Sequence, residues 1–188
     1  MVYLSDFYGL KEVASFWESV LSINNWQQHR ISKIIIKQLF GTLTNKKIII
    51  LGFSFKANTN DTRESPAINI CKDLLEEGAF LVIHDPKVSI EQISHELKME
   101  PFNKSKINNQ YSLEADHTWV KSNNLIDSFT DADAAILLTE WKDYENIKWD
   151  EVSKRMRKPS WVFDTRSIIK PSQVRDAGIN FWRIGDGL

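Results

Sequence analysis

The segment 52–66 carries side chains that could bind a nucleotide. Lys56 and Arg63 supply positive charges for phosphate groups, and Phe55 offers a flat apolar face for a base. Ser65-Pro66 is a helix-start signal, and the free amides of a first helical turn favour an anion. Because the only glycine of the segment is its first residue, the G-x-G-x-x-G fingerprint is absent and side chains would have to hold the ligand. For any single basic residue in a loop, solvation without a ligand is the commoner outcome.

This segment is predicted to connect a buried strand to a helix. The run 46–53 has a β-branched, apolar centre, as in a strand covered on both faces of a parallel sheet. A helix is predicted from Ser65 to the stop signal at Gly78, followed by a strand over 79–84. Strand, helix and strand of these lengths predict a right-handed parallel crossover, which binds ligands at the carboxyl ends of its strands.

The remainder of the chain extends the same pattern. Further strands are predicted at 134–138, 161–163 and 179–184, whereas the polar run from Asn103 to Asn124 has no period and predicts an inserted surface loop. We therefore expect an α/β fold, a small doubly wound (Rossmann-like) parallel sheet over residues 44–188.

A helical arm is predicted to precede the sheet. From Leu10 to Phe40 apolar residues recur at steps of three and four, which is typical of an amphipathic helix, and the polar stretch from Asn24 to Arg30 is expected to bend it. The apolar stripe of this arm needs a partner surface, within the chain or on another subunit.

Composition narrows the classes of partner. The 24 basic and 25 acidic side chains nearly cancel, so no global positive field favours nucleic acid or a membrane surface. No apolar run has the length of a membrane helix, and the first residues lack a secretory signal, so a cytoplasmic location is expected. The single cysteine, Cys71, excludes an internal disulfide, and the scattered histidines predict no metal site.

Several motifs with residues at fixed spacing resemble those of one family. The first motif is Gly52-x-x-Phe55-Lys56-x-x-Thr59-x-Asp61-x-Arg63-x-Ser65-Pro66. The further motifs, in chain order, are His84-Asp85-Pro86, Thr139-Glu140-Trp141 and Phe163-Asp164-Thr165-Arg166. Together they resemble the carboxyl-terminal, UDP-binding domain of the UDP-glucose and GDP-mannose dehydrogenase family. The arm resembles helices that follow the catalytic cysteine loop in the animal-like members that oxidise UDP-glucose.

The resemblance implies roles for particular residues. Phe55, Lys56 and Arg166 should bind the UDP-sugar, and Arg63 should reach NAD held mainly by another domain. Ser167 departs from the residues that often follow the family's arginine. Residues 1–43 would be the tail of a central dimerisation domain, and 44–188 the UDP-sugar-binding domain.

The resemblance also implies an activity that this sequence does not complete. Family members oxidise a sugar alcohol twice, a four-electron oxidation of UDP-glucose to UDP-glucuronate, using NAD and a nucleophilic cysteine. Cys71 shares a helical face with apolar residues and is predicted to be buried. We therefore expect no catalytic residue in this chain, which lacks the NAD domain and the cysteine loop, and no turnover by the isolated chain.

Two alternatives remain open at this point. The chain could be a stand-alone module that binds UDP-sugars or joins subunits through the arm, without chemistry. Within the enzyme class, UDP-N-acetylmannosamine and GDP-mannose are the alternative substrates. The expected partners are UDP-glucose, an amino-terminal NAD-binding portion and a second copy of the arm.

Overall fold

A computed structural model describes residues 1–102 and 117–186. Two helices, α1 Val2–Phe7 and α2 Lys11–Gln38, precede the first strand. The strands are β1 Lys47–Leu51, β2 Phe80–His84, β3 Thr118–Lys121, β4 Ala134–Leu137, β5 Trp161–Asp164 and β6 Asn180–Arg183. The remaining helices are α3 Pro66–Glu76, α4 Ile90–Leu97, α5 Leu125–Ser128, α6 Lys142–Glu145, α7 Trp149–Ser153 and α8 Pro171–Asp176.

The strands of the described residues form one parallel sheet. Its order is β3-β2-β1-β4-β5-β6, so the chain moves outward from β1 in one direction and then returns to the other side of β1. This is the predicted doubly wound α/β fold. The reversal falls between β1 and β4, where such sheets open a crevice at their carboxyl edge.

Both faces of the sheet are covered, which explains the unbroken apolar character of β1. Ile48 and Ile50 belong to one core cluster together with residues of α2, α3 and α4, whereas Ile49 and Leu51 belong to a second cluster with residues of α7 and α8. Because successive side chains of a strand point to opposite faces, a central strand needs apolar residues at every position.

The predicted strand, helix and strand around residue 65 are confirmed. The Ser65 hydroxyl accepts a hydrogen bond from the Ala67 amide at 3.3 Å, and Pro66 occupies the first position of α3. Gly78 follows α3 with a φ of +92°, a conformation that glycine adopts without strain.

The predicted loop over 103–124 is wrong at its end. Residues Thr118–Lys121 form β3, which pairs with β2, and Trp119 is buried against the first core cluster. A four-residue edge strand has too few alternating positions to stand out in a polar neighbourhood. The part of the predicted loop from 103 to 116 lies outside the described residues.

The predicted bend in the arm is also wrong, because α2 runs without interruption through residues 24–30. The polar stretch has partners on α3: Asn69 donates to the Gln28 side chain at 2.7 Å, and His29 lies 2.8 Å from Asp73. These polar residues therefore hold α2 against α3.

The two halves of α2 differ in their surroundings. Ile31, Ile34 and Ile35 are buried in the first core cluster, so the second half is part of the α/β core. Large apolar side chains of α1 and the first half of α2 are exposed, among them Tyr3, Phe7, Phe16 and Ile23, and Trp26, early in the second half, is also exposed. In the described ranges, no helix combines the length and apolar character needed to span a membrane.

Candidate nucleotide-binding site

The loop from Gly52 to Ser65 leaves β1 at the carboxyl edge of the sheet, beside the reversal point. The peptide unit between Phe53 and Ser54 is held at both polar ends, and the unit before it is held at its amide. The amides of Phe53 and Ser54 donate to the Asp85 carboxylate at 2.8 and 3.0 Å, and the Phe53 carbonyl accepts from the Ser65 hydroxyl at 2.8 Å. The strand β2 and the helix α3 thus fix the path of the chain as it leaves β1.

Asp85 is the hub of this edge. Its Oδ2 atom also accepts from the Trp141 indole at 3.2 Å, and its Oδ1 atom accepts from the amides of Lys87 and Val88, both at 2.9 Å. Burial alone would raise the pKa of the Asp85 carboxyl, but the backbone donors outweigh burial and hold that pKa below its ordinary value. Asp85 is therefore a buried carboxylate stabilised as an anion by amide groups.

The next peptide unit, between Ser54 and Phe55, is also held at both ends. The Thr139 hydroxyl donates to the Ser54 carbonyl at 2.7 Å, and the Phe55 amide donates to the Asp61 carbonyl at 2.8 Å. Thr139 follows β4, so this contact joins the two loops on either side of the crevice.

Phe55 and Lys56 are exposed at the tip of this framework. The Phe55 ring is 48% exposed, unlike the fully buried Phe53 two residues earlier. Farther along the loop, Lys87 donates to the Asn58 carbonyl at 3.2 Å and Gln92 donates to the Asn60 carbonyl at 3.0 Å. A firmly held backbone therefore presents an aromatic ring and an ammonium group to solvent.

Arg63 forms a two-pronged ion pair with Asp61. Its Nε and Nη2 atoms donate to the two carboxylate oxygens at 2.9 and 2.7 Å, while the Arg63 side chain stays 85% exposed. The hydrogen bonds from Arg63 lower the pKa of Asp61 to about 2. Asp61 thus fixes one edge of the guanidinium and leaves the opposite edge towards solvent.

Arg166 follows β5 at the same edge of the sheet. The buried Asp164 carboxylate accepts from the amides of Arg166 and Ser167 at 2.9 and 2.8 Å, which shapes the turn. The Arg166 Nε atom donates to the Leu138 carbonyl at 2.7 Å and lies 3.4 Å from Glu140. Within the described ranges, the terminal amino groups of Arg166 have no protein partner, so they are available to an anion.

The structure therefore places three of the four predicted residues at the carboxyl edge of the sheet, after the two strands on either side of β4. Phe55 and Lys56 follow β1 and Arg166 follows β5, and β4 lies between these two strands. Arg63 lies at the far end of the same loop, next to α3. The binding roles of these four residues stay predictions.

Sequence reasoning missed the residues that hold this site. Asp85, Thr139 and Asp164 appeared in the motifs without an assigned role. A polar residue at or just after the end of a buried strand is a signal for their positions, because a parallel sheet gathers such residues at one edge, but it does not identify their hydrogen-bond partners.

Cys71 is buried on α3, as predicted. Burial raises the pKa of its thiol far above the ordinary value, so the nucleophilic thiolate is suppressed. In the described part of the chain, no three His, Cys, Asp or Glu residues are grouped so as to hold a metal ion.

A doubly wound parallel sheet with cationic side chains at its carboxyl edge defines the class of Rossmann-like ligand-binding domains. Comparison with known proteins narrows this class. The family model described as the UDP-glucose/GDP-mannose dehydrogenase family, UDP binding domain, matches residues 49–171. The chain therefore belongs to this family.

Curated relatives match along the whole chain. The chain is 36% identical over 194 aligned positions to UDP-glucose 6-dehydrogenase 4 of Arabidopsis thaliana, covering 100% of the chain and 40% of that relative. It is 36% identical over 188 positions to UDP-glucose 6-dehydrogenase of Drosophila melanogaster, covering 98% of the chain and 38% of that relative. The chain thus spans about 40% of the length of the curated relatives it matches.

Solved structures share the fold. A UDP-glucose dehydrogenase from the archaeon Pyrobaculum islandicum superposes with a TM-score of 0.66 at 23% identity, covering 96% of this chain and 34% of that one. A GDP-mannose dehydrogenase from Pseudomonas aeruginosa gives a TM-score of 0.56 at 18% identity, covering 95% and 36%. These likenesses support the α/β architecture alone.

Proposed function

We propose that this chain is the UDP-sugar-binding portion of an NAD-dependent dehydrogenase that oxidises UDP-glucose to UDP-glucuronate. The observation that carries the proposal is the arrangement of Phe55, Lys56 and Arg166 at the carboxyl edge of the sheet. Lys56 and Arg166 supply cations from the two strands that flank β4, which suits a diphosphate bound across the crevice. Phe55 supplies an exposed ring beside them, which suits a base or a sugar face.

In this proposal, groups outside the described residues carry out the oxidation, and this chain binds the substrate. NAD, when bound, accepts the hydride, and Arg63 is the residue of this chain that would contact it. The exposed guanidinium fits a dinucleotide phosphate, because Asp61 holds one edge and leaves further N–H groups free to bind. Cys71 is too deeply buried to attack a substrate.

UDP-glucose is the substrate that we propose. The curated relatives from Arabidopsis thaliana and Drosophila melanogaster are both named UDP-glucose 6-dehydrogenase and match the chain at 36% identity. A UDP-N-acetyl-mannosamine dehydrogenase from Staphylococcus aureus and the GDP-mannose enzyme share the fold at 20% and 18% identity. UDP-N-acetylmannosamine and GDP-mannose are therefore the alternatives to be tested.

Titration calorimetry of the purified chain with UDP, UDP-glucose, UDP-N-acetylmannosamine, GDP-mannose and NAD tests the proposal. We expect binding of UDP and UDP-glucose, and no NADH production by the same sample. Absence of uridine nucleotide binding would contradict the proposed function. NADH production would contradict the inference that the chain lacks a catalytic nucleophile.

Lys56→Ala is expected to lower the affinity for UDP at least about tenfold, since a charge-assisted hydrogen bond to phosphate is lost. The melting temperature should change little, because the exposed Lys56 side chain has no hydrogen bond or ion pair with any described residue. Lys154→Ala, which removes another exposed lysine, is the matched control and should leave affinity unchanged. A large loss of stability with UDP binding intact would refute the assignment of Lys56.

Subunit assembly is a second candidate function, favoured by the exposed apolar side chains of α1 and the first half of α2. Monomeric soluble proteins rarely expose so many aromatic and aliphatic side chains in one region, as this arm does. We propose that a second copy of the arm covers them.

The double substitution Phe16→Ser with Ile23→Ser is expected to convert an oligomer into a monomer in sedimentation velocity. Both side chains are exposed on α2, so the change should leave the α/β core intact. Ile90→Ser removes an exposed apolar group from α4 and serves as the control. A wild-type chain that sediments as a monomer at all concentrations would contradict self-association through the arm.

A further inference from the structure

The peptide unit that joins Ser54 to Phe55 is fixed by one contact at each polar end. The Thr139 hydroxyl donates to its carbonyl oxygen at 2.7 Å, and its N–H group donates to the Asp61 carbonyl at 2.8 Å. Thr139 is fully buried, so no water can replace its hydroxyl without a structural change.

We propose that Thr139 is a positioning residue for the nucleotide site. Its hydroxyl sets the orientation of the peptide directly before Phe55 and thereby the direction in which Phe55 and Lys56 leave the framework. The proposal rests on the proposed function, since it concerns the same UDP-binding groups.

The orientation of the Ser54–Phe55 peptide also affects Lys56, through one further hydrogen bond. The hydroxyl of Ser54 donates to the Lys56 carbonyl at 3.1 Å, so the residue that Thr139 holds also holds the backbone of the proposed phosphate-binding lysine. Rotation of the Ser54 carbonyl away from Thr139 would move both recognition residues together.

The same end of β4 also holds the opposite side of the crevice. The carbonyl of Leu138, one residue before Thr139, accepts from the Arg166 Nε atom at 2.7 Å. Leu138 and Thr139, the two residues directly after β4, therefore bind the side chain of Arg166 and the loop that bears Lys56. Their spacing sets the separation of two cations that are proposed to bind one diphosphate.

Gly52 is the counterpart that lets Thr139 reach this position. A Cβ atom at residue 52 would lie 2.3 Å from the Thr139 Cβ and 2.5 Å from its hydroxyl oxygen. The close approach of the two loops therefore depends on a glycine at 52 and on a small hydroxylated side chain at 139.

Two substitutions at Thr139 distinguish a positioning role in UDP binding from a contribution to stability alone. Thr139→Val keeps the shape and removes the hydroxyl, whereas Thr139→Ser keeps the hydroxyl and removes a buried methyl group. Both changes are expected to lower thermal stability. By calorimetry, Thr139→Val should weaken UDP binding about tenfold, and Thr139→Ser should stay within about twofold of wild type. Equal losses of affinity in the two variants would overturn the proposal.

Amide hydrogen exchange provides a readout that does not require any ligand. The N–H of Phe55 should exchange at least about tenfold faster in Thr139→Val than in Thr139→Ser, because only the valine variant frees the peptide to rotate. The serine variant accounts for the general loss of stability. Unchanged exchange at Phe55 in Thr139→Val would refute the positioning role.

The two experiments also distinguish failure of this proposal from failure of the proposed function. If wild-type protein does not bind UDP, the proposed function fails, while faster exchange at Phe55 in Thr139→Val still supports the role of Thr139. If wild-type protein binds UDP and both Thr139 variants bind equally well, the positioning role fails and the proposed function stands.

Discussion

Asp85→Asn is expected to lower the free energy of unfolding by about 3 to 5 kcal/mol, because a hydrogen bond to a charged group contributes about 1.5 to 3 kcal/mol. The carboxylate of Asp85 accepts from four backbone amides and the Trp141 indole. An asparagine can direct its oxygen to only one of the two groups of donors. Its NH₂ group would then face N–H groups, and at least two of those would lose their acceptor.

The pH dependence of stability should change in the same variant. The folded-state pKa of Asp85 lies below its ordinary value of 3.8, so its contribution to stability is present above that value and is lost as pH falls through the folded pKa. Chemical denaturation of wild type and Asp85→Asn between neutral pH and pH 3 measures this. The difference in unfolding free energy between the two proteins should be constant near neutrality and should shrink below about pH 4.

Glu145→Gln is a suitable control, since Glu145 is an exposed carboxylate on α6 with no partner in the described residues. This control should unfold like wild type within about 0.5 kcal/mol. If Asp85→Asn unfolds like the control, the carboxylate is not the hub that its contacts indicate.

Gly52→Ala is expected to lower the free energy of unfolding by more than about 4 kcal/mol, the largest loss among glycine-to-alanine changes in the described residues. Gly52 has a φ of +93°, which is strained for alanine. The added Cβ would also lie 2.8 Å from the backbone nitrogen of Thr139, which cannot move aside as a flexible side chain would. Low yield of folded protein, or a strongly reduced denaturation midpoint, would be the measured result.

The chain offers a matched control for this prediction. Gly185 has the same φ of +93°, but a Cβ at Gly185 would meet no atom within 4 Å. Gly185→Ala therefore reports the backbone strain alone, about 1 to 3 kcal/mol. Equal losses from the two substitutions would show that the contact between Gly52 and Thr139 does not matter.

The parallel sheet could be predicted from the sequence because its central strands are apolar at every position. The run 48–51 in β1 and the run 134–137 in β4 are buried on both faces, and few other structures need such runs. The helix α3 was predictable for a local reason, since Ser65, Pro66 and Gly78 mark its ends. These signals lie within each element and require no knowledge of its neighbours.

The edge strand and the course of α2 could not be predicted for the opposite reason. β3 depends on pairing with β2, and only Trp119 is fully buried among its four residues. The polar stretch 24–30 of α2 looks like a break in an amphipathic pattern until α3 is placed beside it. Both features are decided by contacts between segments distant in the sequence.

The candidate site divides in the same way. Phe55, Lys56, Arg63 and Arg166 could be proposed from residue type and family resemblance, because recognition groups are exposed and their chemistry is visible in the sequence. The roles of Asp85 and Thr139 could not, because each depends on a hydrogen bond to a distant segment at the sheet edge. Asp164 instead accepts from the amides of Arg166 and Ser167 in its own turn. Geometry, and not residue type, identifies these residues.

The continuity of α2 has a mechanical consequence. A helix of 28 residues is about 42 Å long, and its first half extends about 21 Å beyond the half embedded in the core. If the α/β domain tilts by about 10° about the embedded half, the end of the helix sweeps roughly 4 Å. The embedded half is then the pivot of the motion. A surface bound to the far end of α2 would be displaced by several ångströms when the sheet, whose edge presents Lys56 and Arg166, tilts by a small angle.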